Sequence, residues 1–360
     1  MPSLFVGGQL MHFVLEETRL LLGCETDTDK ALALDKLPLN TFFSNLSDGS
    51  EVVSAFCHLP DNAQRFADCN KLERVEQLLL HLLTDILPGS EGGEAAICSQ
   101  MPVFWLLPEL SRELVPQPTG IIDTGLDLTS WAARLKKTFP ALFSHKLSQF
   151  FPFGRAALPM ALATLAELFY DNPAVPGVYF IAVDSLYQDL NNPAQYKQWI
   201  SATSDSGLVP SEGGIFTCIR PAKAAGEAGI TIDFSAQESS SNPQRSQGIA
   251  SLFLKACQFI CAQERKVSNL YLPGNGCEDL SKSWLDAYFQ LAPCLGAPPE
   301  IMQSALFTGE LGSVTGLYNL LHIYSGFEQQ ELTGYVMQLE QSHSLYQGLA
   351  LYSWQEERLA

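Results

Sequence analysis

The chain has 360 residues, 46% hydrophobic and only 17% charged, with a formal net charge of −18 from 21 basic and 39 acidic side chains. That length holds two or three domains or one large layered body, and the low charged share is consistent with surface covered by a partner. The negative field opposes nucleic-acid binding, and no apolar run reaches the roughly 18 residues of a membrane span.

Residues 3–8 read as a short strand entering a glycine turn, and 25–60 as loop-rich. Asp27-Thr28-Asp29 lacks the glycine and terminal glutamate of a calcium loop, so a capping or turn role is expected. Cys57 and His58, adjacent on a strand, would point to opposite faces. Helical spacing of Phe66, Val75, Leu78, Leu79, Leu82, Leu83 and Ile86 predicts a helix over about 62–87. Asp61 or Asn62 would cap it and Pro88-Gly89 stop it. Residues 94–98 are a short strand candidate.

Phe153-Gly154-Arg155-Ala156-Ala157 opens an apolar helix over 156–170, ended by Asp171-Asn172-Pro173. The run 177–183 reads as a fully buried strand, and 187–210 as a surface excursion with a short helix. Strands follow over 214–219 and 229–234, and the polar stretch 236–248 reads as an exposed loop. A helix over 249–263 leads to a strand at 270–272, the turn Pro273-Gly274-Asn275-Gly276 and a helix over 281–291. The run Gly309-Glu310-Leu311-Gly312-Ser313-Val314-Thr315-Gly316 then opens a second apolar helix to about 324, and 349–354 is a closing strand. Alternating strands and helices predict an α/β body with sheets between helices.

Nine scattered cysteines with no framework spacing, and no signal peptide at the start, point to a reducing cytoplasm. Cys257 and Cys261 share one helix side and read as core, because nothing completes a metal site. The histidines are scattered: His12, His145 and His343 carry no pattern. His81 and His322 lie within apolar helices and read as core or boundary residues.

In this order the pieces resemble the thiolase-like fold, and in particular the β-ketoacyl synthases. Arg65-Phe66-Ala67 with its helix resembles the family's early helix. The strand ending Val183-Asp184-Ser185-Leu186 resembles the one after the nucleophile helix. Val209-Pro210-Ser211-Glu212-Gly213-Gly214 resembles the family's Glu-Gly turn into a strand. Leu272-Pro273-Gly274-Asn275-Gly276-Cys277 resembles its first histidine turn, and the 309–316 run its second. The resemblance implies two similar halves, each a mixed five-stranded sheet layered between helices, divided here as 1–225 and 226–360.

The same resemblance places the family's reacting groups on residues that cannot perform its chemistry. The nucleophilic cysteine falls at or beside Gly154, the first histidine at Pro273, the second at Glu310 and the lysine at Ala305. The C-terminal glycine loop is reduced to Tyr346-Gln347-Gly348-Leu349. Decarboxylative condensation needs a thiolate activated at a helix N-terminus and neutral donors for the developing enolate oxygen. Glycine carries no acyl group, a proline side chain donates no hydrogen bond, and a glutamate carboxylate opposes developing negative charge.

The expectation is a cytoplasmic, catalytically inactive β-ketoacyl synthase-like protein acting by protein binding, an adaptor or chaperone for a bacterial type VI secretion effector. The alternatives are a chain-length-factor-like, non-catalytic partner of a ketosynthase in fatty acid or polyketide synthesis, or an acyltransferase with a relocated nucleophile. Cys277 is the candidate for that nucleophile, although Glu278 and Asp279 beside it would raise its pKa. Arg155, Cys277 and Glu310 are the candidate ligand- or partner-binding residues, with Arg155 expected to pair with Glu310 across the two helix starts. No metal or cofactor is implied. The expected partner is an effector, a ketosynthase or an acyl carrier protein, in a homo- or heterodimer.

Overall fold

Every residue of β6 (Val178–Ser185) is buried, as its uninterrupted apolar run requires of a strand covered on both faces. Period-two alternation sends Val178, Phe180 and Ala182 into one core and Tyr179, Ile181 and Val183 into another. The computed structural model describes residues 11–34, 40–45, 51–56, 59, 69–84, 86, 101–110, 127–186, 207–223, 227–343 and 345–356.

The first half contributes β1 (Met11–Leu22), β4 (Val103–Leu106), β5 (Gln149–Phe151), β6 and β7 (Glu212–Pro221). The second contributes β8 (Gly229–Ser239), β9 (Val267–Tyr271), β10 (Leu295–Met302), β11 (Tyr335–Gln341) and β12 (Tyr346–Gln355). The strand order is β10-β9-β11-β12-β8-β1-β7-β6-β4-β5. Read outward from the middle, each half runs through its first, fifth, fourth, second and third strand. Pairings repeat as well. β4 is parallel to β5 and β6, as β9 is to β10 and β11. β7 is antiparallel to β6 and β1, as β12 is to β11 and β8. The halves are thus two copies of one mixed five-stranded sheet. A short antiparallel contact joins them, Met11–Phe13 of β1 against Ile232–Ile230 of β8. A separate hairpin pairs β2 (Asn40–Asn45) with β3 (Glu51–Phe56).

Helices sort into three layers. The inner pair, α4 (Ala157–Asp171) and α8 (Val314–Glu328), contacts strands of both halves. Both helices are apolar nearly all round, as a helix between two sheets must be. Across the first half lie α2 (Lys71–Leu82) and α3 (Leu128–Thr138), packing Val75, Leu78, Leu79, Trp131 and Leu135 against Trp105, Ile181 and Phe216. Across the second lie α5 (Arg245–Ala262) and α6 (Glu278–Leu285), with Leu252, Phe253 and Trp284 against Met337, Leu339 and Leu351. Two short helices are α1 (Thr28–Leu32) and α7 (Ala305–Thr308). Asp27 caps α1, accepting from the Lys30 N–H at 3.0 Å.

Several boundaries differ from the sequence reading. α2 starts at Lys71 rather than near 62, because Asn70 and Glu73 form a reciprocal capping box there. β8 continues to Ser239, inside the stretch read as a loop. Its polar residues pair with β12, Gln237 also reaching the Pro159 carbonyl of α4 and Glu238 meeting Ser251 and Lys255 of α5, which begins at Arg245. The helix read over 281–291 is α6 followed by a 3-10 segment at Tyr288–Cys294 that contains Pro293. His81 is exposed at the end of α2 rather than at a boundary. The strand read at 3–8, the candidate at 94–98, Arg65-Phe66-Ala67, Cys57-His58 and most of the excursion 187–210 lie outside the described residues.

Candidate functional site

The inner helices begin at the same end of the molecule, and their starts face each other. Before α4, Gly154 (φ 56°) opens a single 3-10 turn, Gly154–Ala156, with its N–H donating to the Leu107 carbonyl at 3.1 Å. Before α8, Glu310 is held by its own backbone. Its N–H donates to the Val209 carbonyl at 2.7 Å, and its carbonyl accepts from Ser211 N–H at 3.0 Å. The two side chains meet between the helices, where an Arg155 guanidinium N–H donates to Glu310 Oε2. Arg155 is 5% exposed and Glu310 3%, so this ion pair is interior.

Glu310 is fully engaged. Its Oε2 also accepts from Asn275 Nδ2 at 2.6 Å, and its Oε1 from the Gly312 N–H at 2.9 Å. The second arm of Arg155 reaches His343 Nε2 at 3.5 Å. His343 sits on the turn between β11 and β12, tied by its N–H to Glu109 Oε2 (3.0 Å) and by its carbonyl to the Arg245 guanidinium. The positive charge of Arg155, helped by desolvation, holds this imidazole at a pKa of about 4. His343 is therefore neutral near pH 7.

Beneath the ion pair lies Glu340, on the face of β11 that turns toward α8. Gln338 and Glu340 occupy that face, the one to which Val336 gives an apolar side chain. Glu340 Oε1 accepts from Asn319 Nδ2 and from Gln338 Nε2, both at 2.8 Å. Burial nonetheless pushes its carboxyl up to about 7, with the Glu310 charge adding to the effect. Arg155, Leu272, Pro273, Ala305, Glu310 and Glu340 are among the residues around one enclosed space of about 10 Å³.

Two further buried charges brace this end. Asp184, at the end of β6, accepts from the Ser313 N–H at 3.0 Å at the start of α8, and pairs with Lys71 at 3.0 Å. A carboxylate is favoured there by the free N–H groups of the helix. Glu212 takes a two-pronged contact from Arg74, 2.7 Å from Nε and 2.5 Å from Nη2, and accepts from Ser185 Oγ at 3.0 Å.

Arg155, Pro273, Ala305 and Glu310, which lie far apart in the sequence, converge on this space, whereas Gly154 does not line it. Cys277 does not line it. Its N–H bonds Asn275 Oδ1 at 3.0 Å, and it stands as the N-terminal boundary residue of α6, half-buried. Asn275, Glu340 and His343 were not singled out from sequence. Asn275 lies inside the turn Pro273-Gly274-Asn275-Gly276 and is legible there. Glu340 carried only the weak signal of a polar residue in an apolar strand. His343 carried none, since its partner is 188 positions away. Cys257 packs in the core with Cys294, whereas Cys261, its Sγ 4.0 Å from that of Cys257, is exposed rather than core, and burial raises the thiols of Cys257 and Cys294 away from reactivity.

The repeated sheets and the two central helices define a thiolase-like fold, that of the ketosynthases. No protein-family profile matches the sequence, and no curated protein matches it. Solved structures do. The oxazolomycin ketosynthase domain OzmH KS7 of Streptomyces albus JA3453 matches with TM-score 0.66 and 11% identity, over 97% of this chain and 75% of that one. The ishigamide ketosynthase/chain length factor matches with TM-score 0.60 and 12% identity, over 96% and 100%. A type II polyketide synthase ketosynthase, solved as AntDE with the acyl carrier protein AntF and a bound hexaketide, matches with TM-score 0.62 and 11% identity, over 96% and 99%. Among the described residues no helix is long and apolar enough to cross a membrane.

Proposed function

We propose that this chain is a catalytically inactive β-ketoacyl synthase-like protein that acts by binding another protein. The observation that carries the reading is the buried Arg155–Glu310 pair between the two helix starts. It fills the place where a condensing enzyme of this fold needs a thiolate and imidazole donors. The space around it, about 10 Å³, is water-sized and admits no acyl chain. Convergence of Pro273, Ala305 and Glu310 on that space supports reading them, with Gly154, as the positions of lost reacting groups.

The proposed cargo of such an adaptor is a type VI secretion effector. A second reading, a ketosynthase partner in the manner of a chain-length factor, draws support from the likeness to the ishigamide ketosynthase/chain length factor and to AntDE with its carrier protein. A homo- or heterodimer belongs to either reading. β5 ends the sheet on one side without a proline, whereas Pro298 and Pro299 remove donors from the opposite edge strand, β10.

The test combines chemistry with binding. Purified chain is incubated with acetyl-coenzyme A and with malonyl-loaded acyl carrier protein, then weighed intact and assayed for released carbon dioxide. Unchanged mass and no release are expected, and a covalent acyl adduct overturns inactivity. Co-expression with an effector or with a ketosynthase subunit separates the two partners by which one co-purifies in fixed stoichiometry.

A further inference from the structure

Beneath Glu310, α8 turns two polar side chains toward the enclosed space. Thr315 and Asn319 stand four residues apart, hence on one helix face, and are 9% and 6% exposed. Both line the space shared with Arg155, Glu310 and Glu340. Thr315 Oγ1 and Asn319 Oδ1 find no hydrogen-bond partner among the described residues. A buried polar atom in that condition is costly, and native interiors rarely keep one without protein or water against it. The amide nitrogen of Asn319 is committed to Glu340 at 2.8 Å, so its oxygen is an acceptor in need of a donor.

We propose that this space is a binding site for a single water molecule, held by Thr315 Oγ1 and Asn319 Oδ1 at the centre of the helix-start cluster. Size selects the ligand first: about 10 Å³ is close to the least room one water requires, and is too small for any acyl group. Hydrogen bonding selects it next. Water donates to the Asn319 oxygen and accepts from the Thr315 hydroxyl, and its second hydrogen is free for a carboxylate of the same lining. Charge offers a cation little, because the Glu310 carboxylate bordering the space is already paired with the Arg155 guanidinium and Glu340 with the Asn319 and Gln338 amides. The site goes beyond the protein-binding reading and stands whether or not a partner is found.

A crystal structure of the full chain at a resolution that shows ordered solvent, with rubidium chloride in one set of crystals, tests it directly. The expected result is one peak within hydrogen-bond distance of both atoms and no anomalous rubidium signal there. An empty space, a rubidium peak or density for a larger ligand overturns the proposal. The isosteric Thr315→Val variant adds a test by sign. With water bound, the variant breaks a hydrogen bond and lowers the urea midpoint. With nothing bound, it removes an orphaned hydroxyl and raises the midpoint. Should the variant not fold, the solvent density of the unaltered protein decides alone.

Discussion

Replacing Arg155 with methionine keeps bulk between the helix starts but strands the Glu310 carboxylate at 3% exposure. Breaking a buried ion pair from one side costs about 3–5 kcal/mol. Here the Gly312 N–H and the Asn275 amide continue to solvate the carboxylate, so the loss is expected at the lower end, about 3 kcal/mol. Glu310→Met strands the guanidinium with the neutral His343 imidazole and costs a similar amount. The double variant removes both charges and recovers most of the loss, because two apolar side chains of similar volume often replace a buried pair at little cost. Urea denaturation at pH 7 of the four proteins gives the coupling, expected to exceed about 2 kcal/mol. Histidine titration by NMR offers an independent reading. Arg155 is the chief cause of the low His343 pKa, so Arg155→Met returns it upward from about 4 toward 6.5. Single losses below about 1 kcal/mol that simply add, with an unmoved His343, would refute the interior pair.

Glu340 carries a carboxyl raised on folding from its ordinary 4.5 to about 7. A raised pKa contributes stability that is complete below about pH 4.5 and is lost as pH climbs through 7, roughly 3 kcal/mol in all. Glu340→Gln should flatten that decline and be the more stable protein at pH 8. Urea midpoints measured from pH 5 to 9 check this, and parallel profiles for the two proteins contradict it. Gly312→Ala places a Cβ 2.1 Å from Asp184 Oδ2 at a φ of 59° and displaces the contact that caps α8. A loss of about 1–3 kcal/mol is expected in chemical denaturation, and a neutral result removes the argument for glycine there. Arg74→Leu leaves the fully buried Glu212, among the described residues, with Ser185 and the Leu59 N–H, at about 3–5 kcal/mol. Arg74→Lys should recover only part, since an ammonium cannot reproduce the two-pronged contact, and full recovery in the same assay would count against it.

What could be read from sequence follows from how local each signal is. The β6 run, both apolar helices and the glycine-rich start of α8 announce themselves within a dozen residues, and they were enough to order the fold. β4 was missed although Val103-Phe104-Trp105-Leu106 between prolines is as apolar as β6, because four residues give too short a period to count. β10 hid behind Pro298-Pro299, residues that normally argue against a strand and are tolerated here because the strand lies at the sheet edge. β11 was obscured by Gln338, Glu340 and Gln341, whose burial makes sense only beside α8 and α6. The Arg155–Glu310 contact was legible because both ends sat at recognisable helix starts. Its third member, His343, was not, since nothing local in a β-turn reports a guanidinium 188 positions away.

The duplication of the sheet explains why a charge cluster stands at this place at all. Two similar halves packed on a shared inner layer bring the starts of α4 and α8 to face each other, and with them two sets of unpaired N–H groups and two positive helix ends. Such a place favours negative charge before any particular side chain is chosen. Asp184 supplies one carboxylate, against the Ser313 N–H, and Glu310 another, against the Gly312 N–H. Once Glu310 is drawn inside, its second oxygen needs donors that two helix ends cannot both supply, and Arg155 and Asn275 provide them. Arg155 in turn depresses His343, so that imidazole stays neutral and adds no further positive charge. Both carboxylates thus sit where the positive helix starts favour negative charge. The field of the two helix starts here stabilises a closed ion pair, Arg155 with Glu310.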